Sequence, residues 1–496
     1  MSDTGQASSA GSAAPVSVPG FCAPQGRKFV LFAAILASAL GFIDGTVVAI
    51  AMPAIRETLG ATLAQAQWVH NAYLLTLSAL ILVGGAAGDR FGLARVFTWG
   101  IGAFVVASML CAVAPNAEFL IVMRALQGIG AAIMVPGSMA IIARAYPKAE
   151  RGRAIGIWAA ASALTTALGP IIGGLALSLG GPEMWRWIFA VNLPLGALAI
   201  YLLRTRVQAD PNQPGSPIDY PGALSATIAL LALAWGLTSL QHGQGASVTL
   251  WIGAGLGLLV VFLIVEARSD HAMMPLTLFA SRNFTVVNLL CFVLYGALNI
   301  VLFFLPMTMI AGWGIDAFQT SAAFAPLSVF IALLSARIGQ LAVTWGPAPL
   351  LSGGSALAGL GYAAMALVAP YQMFWDGIVP AMCLVGLGMA MVVAPLSTTV
   401  MAAVADNQAG IASGVNNAIT RLAGLIWVAA VGGLVAGVYA AAGGTDSFGV
   451  TSQTPGHAGA MTAGFQALAW FAAALCALSA GLALLTRRNP VAPPDA

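Results

Sequence analysis

Long apolar runs recur along almost the whole chain, and each is long enough for a helix to cross a bilayer. A crossing helix needs about 20 predominantly apolar residues. In hydrocarbon the backbone must satisfy its own hydrogen bonds, which a helix does within one segment. The runs therefore predict an all-α membrane protein of about fourteen spans, near residues 29–55, 66–87, 97–115, 118–143, 153–179, 186–203, 221–240, 249–266, 284–311, 318–343, 350–369, 375–402, 409–437 and 463–486.

The composition supports this class, with 60% hydrophobic and only 7% charged residues. Soluble domains carry about 25% charged residues, so this chain lacks the polar side chains to cover a water-facing surface. The formal net charge of +3 and the lack of a dense basic run argue against nucleic acid as a partner. Five scattered cysteines form neither a disulfide framework nor a metal-ligand cluster, and we expect no metal site: Cys22, Cys111, Cys291, Cys383 and Cys476.

The basic residues indicate which loops face the cytoplasm, because cytoplasmic loops carry an excess of Lys and Arg. With the N-terminus inside, the outer loops hold only Arg56 and Arg186, and three arginines lie within spans. We therefore expect a multi-pass protein of the inner (plasma) membrane with both termini cytoplasmic. The other basic residues fall in inner loops: Arg27, Lys28, Arg90, Arg95, Arg144, Lys148, Arg151, Arg153, Arg204, Arg206, Arg268, Arg282, Arg487 and Arg488.

Two similar segments suggest an internal repeat. Residues 85–92 follow the second span and residues 339–346 end the tenth, each beginning and ending with glycine. Parallel six-helix repeats, separated by two extra helices, would place both segments at equivalent positions. The predicted organisation is a disordered cytoplasmic tail (1–27), an N-terminal six-helix bundle (28–206), an inserted helix pair (207–272), a C-terminal six-helix bundle (273–488) and a cytoplasmic tail (489–496).

Charged side chains inside spans are candidates for function, since each costs about 2.5–3.5 kcal/mol at a helix centre. We interpret Asp44, with apolar sequence on both sides, as a protonatable site facing a central cavity; an aspartate that reaches headgroup water is the alternative. Arg124 is interpreted as the cation that opposes protonation of such a carboxylate or binds substrate, with structural pairing to a carbonyl as the alternative. Asn417 and Arg421 form an analogous pair in span 13, where helix packing is the favoured role.

Five short motifs occur in order along the chain. They are Phe42-Ile-Asp44-Gly-Thr46 in span 1, Gly85-x-x-x-Asp89-Arg90-x-Gly92 after span 2, Leu120-Ile-x-x-Arg124-x-x-Gln127-Gly128 in span 4, Gly156 followed by Gly169-Pro170-x-x-Gly173-Gly174 in span 5, and Trp185-Arg-Trp-Ile-Phe-Ala-Val-Asn192-Leu-Pro194-Leu-Gly196 in span 6. With these motifs the chain resembles the major facilitator superfamily, specifically its fourteen-helix drug–proton antiporter branch, over about residues 28–488.

This resemblance implies the major facilitator fold, with two six-helix bundles around a midplane cavity and the extra helix pair between them. The intramembrane charges themselves indicate proton coupling at Asp44 and Arg124. The resemblance also implies a gating loop of Gly85, Asp89, Arg90, Gly92 and Arg95, with an immobile positive-inside anchor as the alternative. It implies an antiporter motif of Gly156, Gly169, Pro170, Gly173 and Gly174, with tight helix packing as the alternative. The chain departs from the family pattern at Leu93 and Ala94, at Thr165, and at Val343 and Thr344, where the second copy of the loop motif lacks its charges.

The expected function is proton-coupled export of small amphipathic compounds, such as drugs, dyes or toxic metabolites, by alternating access. Expected partners are a small-molecule substrate, protons and the lipid bilayer, while the involvement of a periplasmic adaptor stays open. No cofactor is expected, because the proton gradient supplies the energy, about 2.3 kcal/mol per charge per 100 mV. Candidate residues of the substrate cavity are Trp68, Tyr73, Gln127, Met134, Asn192, Asn417 and Arg421.

Three alternatives share part of this evidence. An exporter or uptake carrier of one endogenous metabolite could use the same fold. A membrane-embedded enzyme is disfavoured, because the four histidines have no ligand spacing: His70, His242, His271 and His457. An ATP-driven permease would need a partner ATPase, as the chain contains no Gly-x-x-x-x-Gly-Lys-Ser/Thr loop.

Overall fold

The computed structural model describes residues 21–207, 219–240, 245–405 and 408–486, and within these ranges the chain is helical and has no strand. The helices are α1 (Arg27–Leu59), α2 (Leu63–Phe91), α3 (Leu93–Ala112), α4 (Ala117–Ala145), α5 (Lys148–Gly180), α6 (Trp185–Ala190), α7 (Asn192–Arg206), α8 (Tyr220–Ser239), α9 (Gly245–Arg268), α10 (Arg282–Met307), α11 (Ala317–Ala322), α12 (Ala325–Trp345), α13 (Pro347–Val368), α14 (Val379–Ala402), α15 (Ala409–Ala441) and α16 (His457–Ala483).

Fourteen spans among the described residues are long and apolar enough to cross a membrane, which confirms the predicted count. Two of these spans are broken: α6 and α7 are interrupted at Val191, and α11 and α12 at Ala323 and Phe324. Turns of π-helix, Thr308–Gly312 and Phe374–Ile378, follow α10 and precede α14. The sequence stays largely apolar at these places, although Asn192 follows the first break and Asp376 lies in the second π-helical turn, so the hydrophobic pattern predicts continuous helices there.

The two ends of the bundle can be told apart by the course of the chain. An even number of crossings puts the start of α1 at Arg27 and the end of α16 at Ala483 on one side, called here the near side. The turn between α1 and α2, residues 60–62, lies on the far side. Thr62 and Gln65 form a capping box there, which fixes the start of α2.

Two helical bundles and an inserted pair make up the fold. In the first bundle α4 packs on α2 and α3, and α1 packs on α5 and α7; in the second, α13 packs on α14 and α16, and α10 on α15 and α16. The bundles meet where α2 contacts α15 and where α5 contacts α11 and α12. The inserted helices α8 and α9 pack on each other, and α8 contacts both α2 and α15, so the pair sits against the seam between the bundles.

Glycines allow the closest helix contacts of the first bundle. A Cβ atom at Gly128 on α4 would collide with the Thr76 hydroxyl and the Tyr73 carbonyl of α2, and one at Gly130 would lie 2.6 Å from the Phe104 backbone nitrogen of α3. Small residues at such crossings are typical of membrane helices, whose association depends on close packing. The helix that carries Arg124 is thereby held tightly between two neighbours.

The predicted disordered tail, residues 1–27, is wrong in its last part. Residues 1–20 lie outside the described residues, as do 487–496, but within residues 21–27 Cys22 and Gly26 are buried, while Ala23, Pro24 and Gln25 are exposed. Cys22 is buried, with its thiol 3.3 Å from the Arg206 carbonyl at the end of α7, and Arg144 lies over the Phe21 ring. Small residues in this stretch fit against the helix ends, which the composition of the tail did not indicate.

Candidate functional site: a central cavity beside a buried carboxylate–arginine pair

A cavity of about 590 Å³ lies between the two bundles. Helices α1, α2, α4 and α5 line it from the first bundle, and α10, α12, α14 and α15 from the second. It reaches Met139, Met401 and Ser413, which lie close to the near-side ends of α4, α14 and α15. The wall is mostly apolar with a few convergent polar groups, which is the usual make-up of a small-molecule site.

Contacts between the bundles close the far side. Ser178 of α5 donates a hydrogen bond to Asp316 before α11, with oxygen separations of 2.5 and 2.7 Å. Arg56 at the end of α1 donates to the Ser447 hydroxyl at 2.8 Å and to the Phe448 carbonyl, both in the turn between α15 and α16. A molecule therefore reaches the cavity from the near side in this conformation.

A buried polar cluster lies directly behind the first-bundle wall of this cavity. Arg124 Nη1 is 2.5 Å from Asp44 Oδ2 and 2.6 Å from Gln127 Oε1. Gln127 Nε2 closes the ring by donating to Asp44 Oδ1 at 2.9 Å. Each of the three residues is at most 1% exposed. The motif of span 4 thus supplies two of the three members, with Gln127 one helical turn after Arg124.

Further contacts hold Arg124 in place within the cluster. Arg124 Nε donates to the Val69 carbonyl of α2 at 3.0 Å, and the guanidinium lies 4.4 Å from the centre of the Tyr73 ring. Cation–π contact of this kind is worth about 2 kcal/mol when desolvated. Removing one member of a buried pair leaves the other charge uncompensated, at a cost of about 3–5 kcal/mol. Protonation of Asp44 would have the same effect on Arg124, so the protonated cluster must rearrange or admit a new partner.

Helix α1 connects the cluster to the cavity. Gly41, Phe42, Gly45 and Thr46 line the cavity, while the side chain of Asp44 points the other way, toward α4. The prediction that Asp44 faces the cavity is therefore wrong for this conformation. The apolar sequence around Asp44 does not tell which face of α1 meets α4, and the pairing with Arg124 decides it. A change at Asp44 must still reach the cavity wall, because the same helix forms both.

Of the seven residues predicted to line the cavity, Asn417 and Arg421 do so. Three of the others are used inside the first bundle: Gln127 in the buried cluster, Tyr73 beneath Arg124, and Met134 packed behind Gly41. Their residue types suit a binding site, but each lies on the side of its helix that faces another helix of the same bundle.

The remaining two predicted cavity residues lie farther away. Trp68 is half-buried against Trp235 of α8, with ring centres 5.6 Å apart, so it contacts the inserted pair. Asn192 is buried and donates to the Ser108 hydroxyl of α3 at 2.8 Å. The signature of span 6 is therefore structural here: Trp185 at its start is fully buried and donates to the Thr58 hydroxyl at the end of α1.

The predicted gating loop is a tight turn between two helices. α2 continues to Phe91, Gly92 has φ of +93°, and α3 begins at Leu93. Asp89 and Arg90 therefore end α2, as expected, but Arg95 lies in the first turn of α3 and not in a loop. A glycine is needed at position 92 because residues with a Cβ atom rarely adopt this positive φ. Asp89 and Arg95 are both exposed on the near side, and their role in gating stays a prediction.

The predicted antiporter motif lies where α5 contacts α1 of its own bundle and α11 of the second bundle. A Cβ atom at Gly169 would be 2.9 Å from the Thr46 hydroxyl of α1, and one at Gly173 would be 2.6 Å from a Val47 methyl group. At Gly174 it would be 2.6 Å from the Ala317 carbonyl of α11. Pro170 lines the cavity, whereas a Cβ atom at Gly156 would meet nothing within 4 Å. The motif therefore brings α5 close to α1 and to the second bundle on the far side.

Several cavity residues were missed by the sequence analysis. His70 of α2 is 8% exposed, its Nε2 atom has no hydrogen-bond partner, and its ring lies 5.3 Å from that of Phe303. Asn299 of α10 and Asn416 of α15 also line the wall. A polar side chain within a span is the signal that could have identified them, since such groups face protein or a cavity. Among the described residues, no group of three or more His, Cys, Asp or Glu could hold a metal ion.

The sequence matches a family model described as Major Facilitator Superfamily over residues 34–428. The puromycin resistance protein pur8 of Streptomyces alboniger is 32% identical over 442 residues, which cover 87% of this chain and 86% of that protein. The multidrug resistance protein Stp of Mycobacterium tuberculosis is 31% identical, with 81% of this chain and 75% of Stp covered. An uncharacterized MFS-type transporter of the same species, Rv1250, is 31% identical over 77% of this chain and 66% of its own length.

Solved structures share the fold at lower sequence identity. A bacterial homologue of the human lysosomal transporter Spinster, in an inward-facing and occupied conformation, aligns with a TM-score of 0.65 and 18% identity, covering 93% of this chain and 97% of that one. The xylose transporter XylE from E. coli, in a partially occluded inward-open conformation, aligns with a TM-score of 0.58 and 14% identity, covering 92% and 96%. At such identities the likeness concerns the fold alone.

Proposed function

Because the chain belongs to the major facilitator superfamily, we propose that it is a proton-coupled exporter of small amphipathic compounds that works by alternating access. The observation that carries this proposal is the buried cluster of Asp44, Arg124 and Gln127, which lies directly behind the first-bundle wall of the central cavity. A buried carboxylate inside a span is costly and is a natural proton carrier. The relatives that confer puromycin and multidrug resistance support export as the direction of transport.

In the proposed cycle the near side faces the cytoplasm, as the distribution of basic residues favours. The conformation described here then receives substrate from the cytoplasm, and substrate binding displaces the proton from Asp44, which pairs with Arg124. In the opposite conformation Asp44 takes a proton, and Arg124 loses its partner. A buried arginine without a counter-charge is unfavourable by several kcal/mol, so protonation and ionisation favour different packings of α1 against α4.

Substrate and proton would compete through α1. One face of this helix carries Asp44 toward α4, and the other carries Gly41, Phe42, Gly45 and Thr46 on the cavity wall. A movement of α1 that follows protonation therefore changes the shape of the cavity. At positions 169 and 173 α5 carries no side chain against α1, so the two helices pack closely there and a shift of α1 is felt by α5.

Everted membrane vesicles test this proposal directly. Vesicles that contain the wild-type protein should accumulate a fluorescent substrate, chosen from a panel of dyes and antibiotics, when a proton gradient is imposed. They should lose it when nigericin collapses that gradient. The Asp44→Asn variant should fail to accumulate the dye, whereas Glu57→Gln, an exposed carboxylate on the same helix, should behave as wild type.

Accumulation that persists without a proton gradient would contradict proton coupling. Substrate movement with the proton gradient instead of against it would show an uptake carrier on the same fold. Either result is read from the same vesicles, because the direction of the imposed gradient can be reversed.

A further inference from the structure

Among the described residues, the cavity wall carries one uncompensated positive charge. Arg421 is the only charged residue among the described residues that line the cavity, and none of the lining residues is Asp or Glu. Within the described part of the chain no carboxylate forms an ion pair with its guanidinium. A guanidinium keeps its charge in proteins. The first-bundle arginine, Arg124, differs in this respect because it is neutralised by Asp44 behind the wall.

Polar groups surround Arg421 on the same helix. Ser413, Asn416, Asn417 and Thr420 all line the cavity with it and form what we call the α15 stripe, residues 413–421. The Asn417 amide lies one helical turn before Arg421, so both can face the same ligand atom. A guanidinium and an amide together present several N–H donors, the arrangement that suits an oxyanion.

Most of the remaining lining is apolar. Phe42, Leu74, Leu298, Leu327 and Val393 contribute to it from α1, α2, α10, α12 and α14, together with a few polar side chains such as Thr46, Asn299 and Ser397. Toward the far side His70 adds a buried ring nitrogen that has no hydrogen-bond partner in the protein.

We propose that the cavity selects amphipathic anions, whose carboxylate or other oxyanion binds Arg421 on the α15 stripe while the apolar part lies against α1, α10 and α12. This inference rests on the proposed function for its transport role, but the selectivity itself is a property of the cavity. A lipophilic cation finds no counter-charge on this wall and meets a like charge, so it binds less well than an anion of equal size.

Binding of three matched probes to the purified full-length protein in nanodiscs tests this. The probes are dansyl-leucine, which carries a carboxylate, its neutral amide, and a dansyl derivative of similar size that carries a trimethylammonium group. The wild type should bind the carboxylate about tenfold or more tightly than the amide, and the cation most weakly. Hydrogen bonds to charged groups are typically worth this much.

Variants at Arg421 locate the selectivity. Arg421→Gln should weaken dansyl-leucine binding by about 10- to 100-fold and change amide binding by less than about threefold. Arg421→Lys should keep the order of carboxylate over cation. Arg337→Gln is the matched control, because Arg337 is also an arginine within a span of the second bundle but does not line the cavity.

Two results would overturn the inference. One is a wild-type protein that binds the cation as tightly as the carboxylate. The other is an Arg421→Gln protein that elutes as a folded monodisperse peak and keeps the wild-type ratio of carboxylate to amide affinity. If Arg421→Gln does not fold, Arg421→Lys decides the matter, since loss of the carboxylate preference with the charge retained contradicts the proposed contact. These measurements use no proton gradient, so a failure of proton-driven export in vesicles would not be mistaken for a failure of anion selectivity.

Discussion

Replacing Arg124 with glutamine removes the positive partner of the buried pair and leaves Asp44 enclosed by protein. In the wild type the two groups are 2.5 Å apart and together almost fully buried. Arg124 also donates to the Val69 carbonyl and to Gln127. Loss of one partner from such a pair costs about 3–5 kcal/mol. Asp44→Asn alone should be similarly unfavourable, because it leaves the arginine without a counter-charge.

The double variant Asp44→Asn/Arg124→Gln should lose less free energy of unfolding than the two single variants lose together. Its neutral amides bury no net charge and can hydrogen-bond with Gln127. Neighbouring groups of this kind couple by up to about 3 kcal/mol in double-mutant cycles, and we expect a value near that limit. This coupling free energy measures how much of the destabilisation in each single variant comes from the charge left without a partner.

The reactivity of buried thiols gives a suitable stability assay for this double-mutant cycle. Cys111, Cys291 and Cys476 are completely buried, so a maleimide fluorophore labels them only as the protein unfolds. Unfolding curves in mixed micelles of increasing SDS content give the free energy of unfolding for the four proteins. If the double variant is destabilised by the simple sum of the single effects, Asp44 and Arg124 do not interact as an ion pair and the description of the cluster is wrong.

Three further predictions concern orientation, gating and the far-side contact. A reporter fused after Arg488 should remain cytoplasmic and one placed in the 438–460 segment should be exported, whereas the same location for both would contradict the topology. Arg95→Ala should leave expression and membrane insertion near wild type but slow transport, since Arg95 is exposed in the first turn of α3; unchanged transport in vesicles would exclude a gating role. Gly174→Val should push α5 away from the Ala317 carbonyl and weaken far-side closure, which increases far-side labelling of a single cysteine placed at the cavity; wild-type labelling would show that this contact does not hold the bundles together.

The spans could be predicted from the sequence because length and apolar character alone define them. The family motifs identified the superfamily, which the family model and the relatives confirm. The candidate pair of Asp44 and Arg124 follows from the cost of charge in hydrocarbon, since each group needs a partner and few are present.

The cavity residues could not be predicted in the same way. Most of these helices are apolar on every side, so periodicity does not tell which face meets a neighbour and which faces the cavity. Tyr73, Met134 and Asn192 accordingly fall on packed faces, while His70 and Asn299 fall on the cavity wall. The breaks at Val191 and before α12 come just ahead of Pro194 and Pro326, which lack the backbone N–H that would continue the preceding turn, although the apolar pattern runs on through both.

Asp44 is proposed to carry the proton that drives export, and proton release on substrate binding tests this role most directly. Substrate selected in the vesicle assay is added to purified protein in weakly buffered detergent solution, and a pH-sensitive dye reports released protons. The wild type and the Glu57→Gln control should release protons, and Asp44→Asn protein from the folded, monodisperse fraction should release none. An Asp44→Asn protein that releases protons like the wild type, or that still accumulates substrate against its gradient in vesicles, would show that another group carries the proton.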